Sequence, residues 1–145
     1  MRWRNDTQQA RCHYRCVCDF SKIRLLLVDD NSVWRKFAIE HLNGAGVRTI
    51  DVAYDGVQGV FKARILQPDL ILMEVRLPHM NGIEAARKMG EAAPATKVVF
   101  VSVVDDPDVI AAALEAGGVE YVSKPRAARD LIPAIRRALG LAETA

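Results

Sequence analysis

Five short hydrophobic runs along this chain predict five buried β-strands, at residues 23–28, 47–53, 69–74, 97–102 and 119–123. Three of these runs end in charge: LLLVDD at Asp29 and Asp30, DLILME at Glu74, and VEYVSK at Lys124. Apolar runs that end in charged residues are typical of parallel strands whose carboxyl ends open onto one crevice. The pattern therefore predicts that these four side chains lie close together at one edge of a sheet.

Amphipathic segments between the runs predict the helices. Asn31 or Ser32 can cap the first helix, and Gly44 is expected to end it. The apolar stripe of this helix has helical spacing and comprises Val33, Trp34, Phe37, Ala38, His41 and Leu42. The buried face of the second helix is expected to comprise Val57, Val60 and Phe61.

The later helices follow the same pattern. A turn at residues 78–82 leads into the third helix, which runs through Met89, and an Ala-rich segment at residues 107–116 predicts the fourth. Pro133 is tolerated only in the first turn of a helix, so the last helix is expected to start late, with Asp130 as its N-cap. Strands that alternate with helices over short connections indicate an α/β fold with a parallel sheet.

Length and charge predict one domain at residues 21–141, with a four-residue tail at 142–145. The chain has 145 residues and a net charge of +2, and the excess comes from the first twenty residues. From Ser21 onward basic and acidic residues are equal in number, so no nucleic-acid surface is expected. Without a membrane-length apolar run or a visible signal peptide, the sequence predicts a cytoplasmic protein with no membrane contact.

All three cysteines lie in the N-terminal extension, residues 1–20. Cys12, Cys16 and Cys18, with His13, have the residue types of a zinc site, but all four lie within seven residues. Structural zinc sites usually use two separated pairs of ligands around a folded loop. We therefore expect a disordered extension with reduced cysteines, and the zinc interpretation remains the alternative.

The charged strand ends have the chemistry of a phosphoryl site. Asp29, Asp30 and Glu74 would repel one another if unpaired, and a hard cation such as Mg²⁺ removes that repulsion. Lys124 adds a fixed positive charge, and Ser102 adds a hydroxyl at the end of the fourth strand. Metal, ammonium and hydroxyl contacts together can stabilise a transferring phosphoryl group.

The segment MEVRLPHMNG, residues 73–82, closely resembles the phosphoacceptor segment of response-regulator receiver domains. The acidic pair, the hydroxyl of Ser102 and the Lys124–Pro125 pair, whose peptide bond is often cis in that family, also match its motifs in order. The resemblance covers about residues 23–139. It implies a flavodoxin-like, doubly wound sheet of five parallel strands in the order 2-1-3-4-5 with five helices.

The resemblance also implies roles for individual residues. It places Glu74 at the phosphoacceptor position and makes Ser102, Lys124 and Tyr121 the phosphoryl-site and switch residues. It implies Mg²⁺ as the cofactor, with ligands drawn from Asp29, Asp30, Glu74 and the backbone carbonyl of Arg76. In the family, a histidine kinase or phosphotransfer protein supplies phosphate, the switch aromatic turns inward, and an effector binds the face of helix 4, strand 5 and helix 5.

Three substitutions separate this chain from that pattern. Glu74 replaces the phosphoacceptor aspartate and is longer by one carbon–carbon bond, about 1.5 Å. Val103 replaces a small residue beside the hydroxyl, where its branches would crowd the site. Asn81 replaces an aspartate in the following turn and is expected only to adjust that loop.

These observations leave three hypotheses for function. The leading one is a non-enzymatic, atypical receiver that acts through its partner face, and a homodimer is left open. The alternative is a conventional Mg²⁺-dependent receiver in which Glu74 or Asp30 accepts phosphate. The remote alternative is an independent phosphatase or nucleotide-binding enzyme, against which stands the lack of a P-loop or dinucleotide-binding glycine motif.

Overall fold

The computed structural model describes residues 20–141, in which strands and helices alternate. The candidate zinc ligands lie outside the described residues: Cys12, His13, Cys16 and Cys18. The strands are β1 (Arg24–Val28), β2 (Thr49–Ala53), β3 (Leu70–Met73), β4 (Lys97–Ser102) and β5 (Gly118–Ser123). The helices are α1 (Ser32–Gly44), α2 (Gly56–Leu66), α3 (Gly82–Ala92), α4 (Pro107–Glu115) and α5 (Ala127–Leu139).

The five strands form one parallel sheet in the order β2-β1-β3-β4-β5. This confirms the predicted doubly wound, flavodoxin-like arrangement. The strand order reverses between β1 and β3, and ligand crevices of such sheets open at this point, outside the carboxyl ends of the strands. The fold therefore places the predicted site at the ends of β1 and β3.

Helices cover both faces of the sheet, which explains why the central strands are continuous apolar runs. Leu25 and Leu27 pack with α1 and α5 on one face. Leu26 and Val28 pack on the other face, with α2 and α3. Within residues 20–141, no helix has the length and apolar character needed to cross a membrane.

Short polar caps start the three helices that follow β1, β2 and β3. Asn31 caps α1 by accepting a hydrogen bond from the Trp34 amide, which decides between the two predicted caps. Asp55 does the same for α2, and Asn81 does so for α3. Asn81, which replaces the aspartate of the family pattern, thus preserves an N-cap, because both residue types are good caps.

Two predicted apolar faces are wrong in part. The side of α2 that packs inward comprises Gly56, Gly59, Val60 and Ala63, whereas Val57 and Phe61 are exposed. Small residues allow close helix packing here: a Cβ on Gly56 would collide with the carbonyl oxygen of Met80. In α1, only Ala38 and Leu42 of the predicted stripe are buried, and Val33 is exposed.

The prediction for the last helix is also wrong. Helix α5 begins at Ala127, directly after a 3-10 turn at Lys124–Arg126, and it contains Pro133 in its interior. Burial of Ala127, Leu131, Ala134 and Ile135 explains why the helix forms despite the amide that proline lacks. Asp130 is not an N-cap and instead pairs with the guanidinium of its neighbour Arg129. The Lys124–Pro125 bond is trans, as is every peptide bond of the described residues.

Candidate functional site

Strand register brings Asp29 and Glu74 to the same level at the edge of the sheet. Val28 pairs with Met73, the last residues of β1 and β3, so the next residue of each strand is acidic. The Glu74 amide donates to the Val28 carbonyl at 3.0 Å, which continues the pairing by one residue. Asp29 and Glu74 are both buried, as predicted for neighbouring parallel strand ends.

Lys124 joins these two carboxylates. Its Nζ lies 2.7 Å from Glu74 Oε1 and 2.9 Å from Asp29 Oδ2. The side chains of Lys124, Glu74 and Asp29 are 12%, 7% and 2% exposed, so this three-residue cluster is largely shielded from water. We call it the buried charge cluster. It brings together three of the four charges that the strand ends predicted.

The second oxygen of Glu74 is bound by its own loop. Oε2 accepts hydrogen bonds from the Val75 amide at 2.7 Å and the Arg76 amide at 3.3 Å. Gly82 closes this loop, because its amide donates to the Val75 carbonyl at 2.7 Å. A Cβ on Gly82 would collide with the carbonyl oxygen of Glu74, so the close approach requires glycine. Both carboxylate oxygens of Glu74 are therefore engaged.

Burial sets the proton affinities of the cluster. Burial raises the pKa of the Asp29 carboxyl, and hydrogen bonds from Lys124 and the Asn31 amide offset this only in part. For Lys124, burial disfavours the ammonium, but hydrogen bonds to Asp29 and Glu74 outweigh it and raise the pKa of Lys124. The ammonium is thus the counter-ion that allows these carboxylates to remain inside the protein.

A neutral hydrogen-bonded relay lies beside the charge cluster, between β4 and β5. The Ser102 Oγ accepts from the Val104 amide at 3.1 Å, and the Tyr121 hydroxyl donates to the Val104 carbonyl at 2.7 Å. The Tyr121 ring is half-buried and stacks on Phe100, with ring centroids 6.1 Å apart. Burial is the main influence that raises the pKa of the Tyr121 phenol, so the hydroxyl is a donor at neutral pH.

Trp34 completes the surroundings of Lys124, a role that the sequence reasoning missed. The Lys124 Nζ lies 5.1 Å from the centroid of the Trp34 ring, within cation–π range. Trp34 in turn contacts the half-exposed Phe37, with centroids 5.2 Å apart. The signal in the sequence was an aromatic residue in the first turn of the helix that follows the acidic pair.

The remaining predicted residues lie around this cluster. Asp30 is exposed at the end of β1, and Arg76 lies in the loop after Glu74. Among residues 20–141, no three His, Cys, Asp or Glu side chains converge as a metal-binding group. Val103 is exposed beside Ser102. Asp30 and the Arg76 carbonyl are thus near the cluster in sequence without forming an assembled ligand set.

His79 is an exposed residue that has a defined partner. Its Nδ1 lies 2.9 Å from Asp55 Oδ2, and the residue has a positive φ of 68°. The contact joins the β2–α2 loop to the β3–α3 loop on the surface. A single sequence gave no signal for this pair, because the two residues are separated by 24 positions.

The sequence matches known proteins over most of the described residues. The family model for the response regulator receiver domain matches residues 25–136. Response regulator GacA of Pseudomonas viridiflava is 35% identical over 115 residues, which are 79% of this chain and 54% of that protein. The chain therefore spans about half the length of this curated relative.

Solved structures match the fold closely. The response regulator domain of Thermotoga maritima CheB has a TM-score of 0.75 at 29% identity, over 83% of this chain and 98% of that one. The receiver domain of the sensor histidine kinase PA1611 from Pseudomonas aeruginosa has a TM-score of 0.74 at 28% identity, over 81% and 98%. That structure holds a magnesium ion in its active-site cleft.

Proposed function

This chain belongs to the response regulator receiver family, and from that premise we propose that it is an atypical receiver with Glu74 at the phosphoacceptor position. It acts by binding an effector through the face formed by α4, β5 and α5, without the usual aspartyl-phosphate cycle. The charge of Glu74 substitutes for part of the charge that a phosphoryl group would bring. The protein is thereby biased towards one state of the receiver switch.

The contact between Glu74 and Lys124 carries this proposal. With Nζ and Oε1 2.7 Å apart and Oε2 accepting from the Val75 amide, both carboxylate oxygens are held by contacts that an attack on phosphorus would have to weaken. The longer side chain also displaces the carboxylate by about 1.5 Å relative to an aspartate. Since a misplacement of about 1 Å can cost on the order of a hundredfold in rate, phosphoryl transfer to Glu74 is disfavoured.

The position of Tyr121 supports an active-like state. In the family, the switch aromatic turns inward on activation, and here its hydroxyl already donates to the Val104 carbonyl. Ser102 holds the amide of the same residue, so the hydroxyl and the aromatic are linked through one peptide unit. Glu74 stabilises this state only by the difference between its contacts in the two states. Shifting a population from 1:99 to 99:1 requires about 5.5 kcal/mol, of which one buried ion pair supplies a part.

The strand-end oxygens fit Mg²⁺ in donor chemistry. Mg²⁺ is commonly held by one or two carboxylates, with waters in the remaining positions. We assign Asp29 and Asp30 as its principal ligands, with Glu74 and the Arg76 carbonyl beside them. The bound ion would supply positive charge to phosphoryl oxygens. Burial raises the pKa of Asp29, which marks a carboxylate that a cation would stabilise.

Intact-mass spectrometry after incubation with acetyl phosphate and Mg²⁺ tests the proposal. The wild-type protein is expected to gain no phosphoryl group, whereas Glu74→Asp is expected to gain one that hydroxylamine removes. The aspartate variant is the matched control, because it shows that the remaining site is competent. A hydroxylamine-labile phosphoryl group on the wild-type chain would contradict the proposal.

The second candidate is the conventional phosphorylated receiver. The exposure of Asp30 at the end of β1 favours it, since a donor can reach this carboxylate. Peptide mapping of any phosphorylated wild-type protein distinguishes the two acceptors. Modification of Asp30 or Glu74 at a stoichiometry near one would establish this second function in place of the first.

A further inference from the structure

The outer face of α2 is apolar and exposed. Val57, Phe61 and Ile65 are spaced four residues apart, so they lie along one side of the helix, and they are 50%, 58% and 61% exposed. Tyr54, in the loop before the helix, is 49% exposed. We call these four residues the α2 face. Contiguous exposed apolar patches on soluble proteins often mark interaction sites, whereas single exposed apolar residues are ordinary.

The helix cannot turn to bury this face. Its opposite side packs through Gly56, Gly59 and Ala63, and a Cβ on Gly59 would lie 3.1 Å from atoms of both Met89 and Val28. The side chain of Gln67, at the end of the helix, donates to the Ala92 carbonyl of α3 at 3.0 Å. Packing on α3 and β1 therefore fixes the rotation of α2 and leaves the apolar residues outward.

Positive charge borders the α2 face. Residues 56–66 contain no acidic side chain, and the N-cap Asp55 is in contact with His79. Lys62 and Arg64 flank the apolar residues on opposite sides. Lys62 is held in place, because its Nζ donates to the Val52 carbonyl of β2 at 2.6 Å. At the tyrosine end, the Arg35 guanidinium lies 4.5 Å from the centroid of the Tyr54 ring.

We propose that the α2 face binds an amphipathic helix of a partner protein, whose apolar stripe is bordered by Asp or Glu. An acidic border complements Arg35, Lys62 and Arg64, and apolar anchors cover Phe61 and its neighbours. This surface is separate from the α4–β5–α5 face, because β2 and β5 are the opposite edges of the sheet. One chain can then bind two partners at once.

Charge argues against the other occupants. A second copy would place the same basic border against itself, and the N-terminal extension carries Arg2, Arg4, Arg11 and Arg15 against only Asp6 and Asp19. Recognition of anionic lipid commonly uses four to eight clustered basic residues. The three cations beside this face are fewer, and they surround a stripe suited to one helix.

Fluorescence anisotropy with two designed peptides tests the inference. Each peptide is an amphipathic helix of roughly 18 residues with one Leu–Ile stripe, bordered by Glu in one peptide and by Lys in its twin. The Glu-bordered peptide is expected to bind the full chain roughly fivefold tighter than the twin at low salt, and the preference should shrink as salt is added. Phe61→Ser is expected to weaken binding by at least about tenfold.

Matched variants keep the result interpretable. Val33→Ser removes an exposed apolar side chain on α1 and should leave binding unchanged. Arg64→Glu should reduce the preference for the Glu-bordered peptide, because Arg35 and Lys62 remain. Circular dichroism checks that each variant remains folded. Equal binding of both peptides, or binding that Phe61→Ser does not change, would overturn the inference.

Two further readouts cover the competing occupants. Sedimentation of the wild-type chain alone that shows a dimer abolished by Phe61→Ser would assign the face to a second copy. Binding to vesicles containing phosphatidylglycerol without binding to the Glu-bordered peptide would assign it to membrane. Either result would overturn the inference, and neither depends on whether Glu74 accepts phosphate.

Discussion

Two groups of paired charges lie in the same strand-end region of this receiver, and they differ mainly in burial. In the buried charge cluster, the Lys124 ammonium bridges the Asp29 and Glu74 carboxylates at 2.9 and 2.7 Å. At the surface, His79 contacts Asp55 at 2.9 Å, with side chains 70% and 17% exposed. The distances are alike, so the difference in environment decides what each group can do.

Burial makes the first group costly to disturb. Removal of one partner from a buried ion pair leaves a charge without compensation, whereas an exposed pair is screened by water and salt. Only the buried cluster can therefore bias a conformational equilibrium by more than about 1 kcal/mol. The surface pair is suited to holding two loops in register.

Replacement of Lys124 is expected to have the largest effect. Lys124→Met leaves Asp29 and Glu74 buried without their cation and should lower the free energy of unfolding by about 3 kcal/mol. Urea denaturation measures this loss. Lys88→Met, at an exposed position of α3, is the control and should change stability by less than about 0.5 kcal/mol.

The double variant Lys124→Met/Glu74→Gln sharpens the same test. Because it removes one of the two stranded charges, it should be more stable than Lys124→Met alone. A loss below about 1 kcal/mol for Lys124→Met would place the buried cluster in the class of surface pairs and contradict the comparison.

Two glycines of α3 test the frame that carries Glu74. Gly82→Ala introduces a methyl group against the Glu74 carbonyl and should destabilise the protein by about 2 kcal/mol. Gly90→Ala meets no atom within 4 Å and should stabilise the helix by about 0.5–1 kcal/mol. Thermal unfolding of the two variants, followed by circular dichroism, measures both signs. If both substitutions stabilise, the loop around Glu74 is not tightly closed.

The neutral relay is expected to contribute less to the free energy of unfolding than the buried charge cluster does. Tyr121→Phe removes the hydroxyl that donates to the Val104 carbonyl and should cost about 1 kcal/mol in unfolding free energy. Tyr54→Phe is the matched control, because that ring is half exposed. A Tyr121→Phe variant as stable as the wild type would remove the relay from the account of the switch.

The surface pair should give the smallest effect, and one that depends on pH. A hydrogen bond from the Gln58 amide, with a further contribution from His79, lowers the pKa of Asp55. The stability it adds is therefore present above the unfolded pKa, about 3.9, and is lost as pH falls through the lower folded value. Asp55→Asn keeps the cap but does not titrate.

Urea denaturation of the wild type and Asp55→Asn at several pH values measures this small term. The wild type should be more stable by less than about 1 kcal/mol at pH 6. The difference between the two proteins should shrink as the pH falls below about 4 and vanish below the lower pKa of folded Asp55. A difference that widens as the solution becomes more acid would show that Asp55 does not contribute in this way.

The sequence predicted the parts of this molecule that depend on local pattern. Charged ends on apolar strands located Asp29, Glu74 and Lys124, because parallel strands bring their carboxyl ends to one edge. Tertiary packing determined which side of a helix is buried and where a helix begins, and the pattern alone could not predict this. Glycines let α2 bury its small side and expose Phe61, and tertiary burial held α5 together across Pro133.

Contacts between residues far apart in the sequence also could not be predicted. The cation–π contact of Lys124 with Trp34 joins residues 90 positions apart, and the Asp55–His79 pair joins two loops. Neither contact follows from a periodic pattern, because each depends on how the sheet places its loops. The chemistry of Glu74 was visible in sequence, whereas its engagement of both oxygens required the structure.

The most direct test of whether Glu74 biases the receiver switch compares ¹H–¹⁵N spectra of three samples. These are the wild type, Glu74→Asp alone, and Glu74→Asp treated with acetyl phosphate and Mg²⁺. If Glu74 biases the switch, the wild-type amides of β5 and of residues near Tyr121 should match those of the phosphorylated variant. A wild-type spectrum that instead matches the untreated variant in this region would contradict the account.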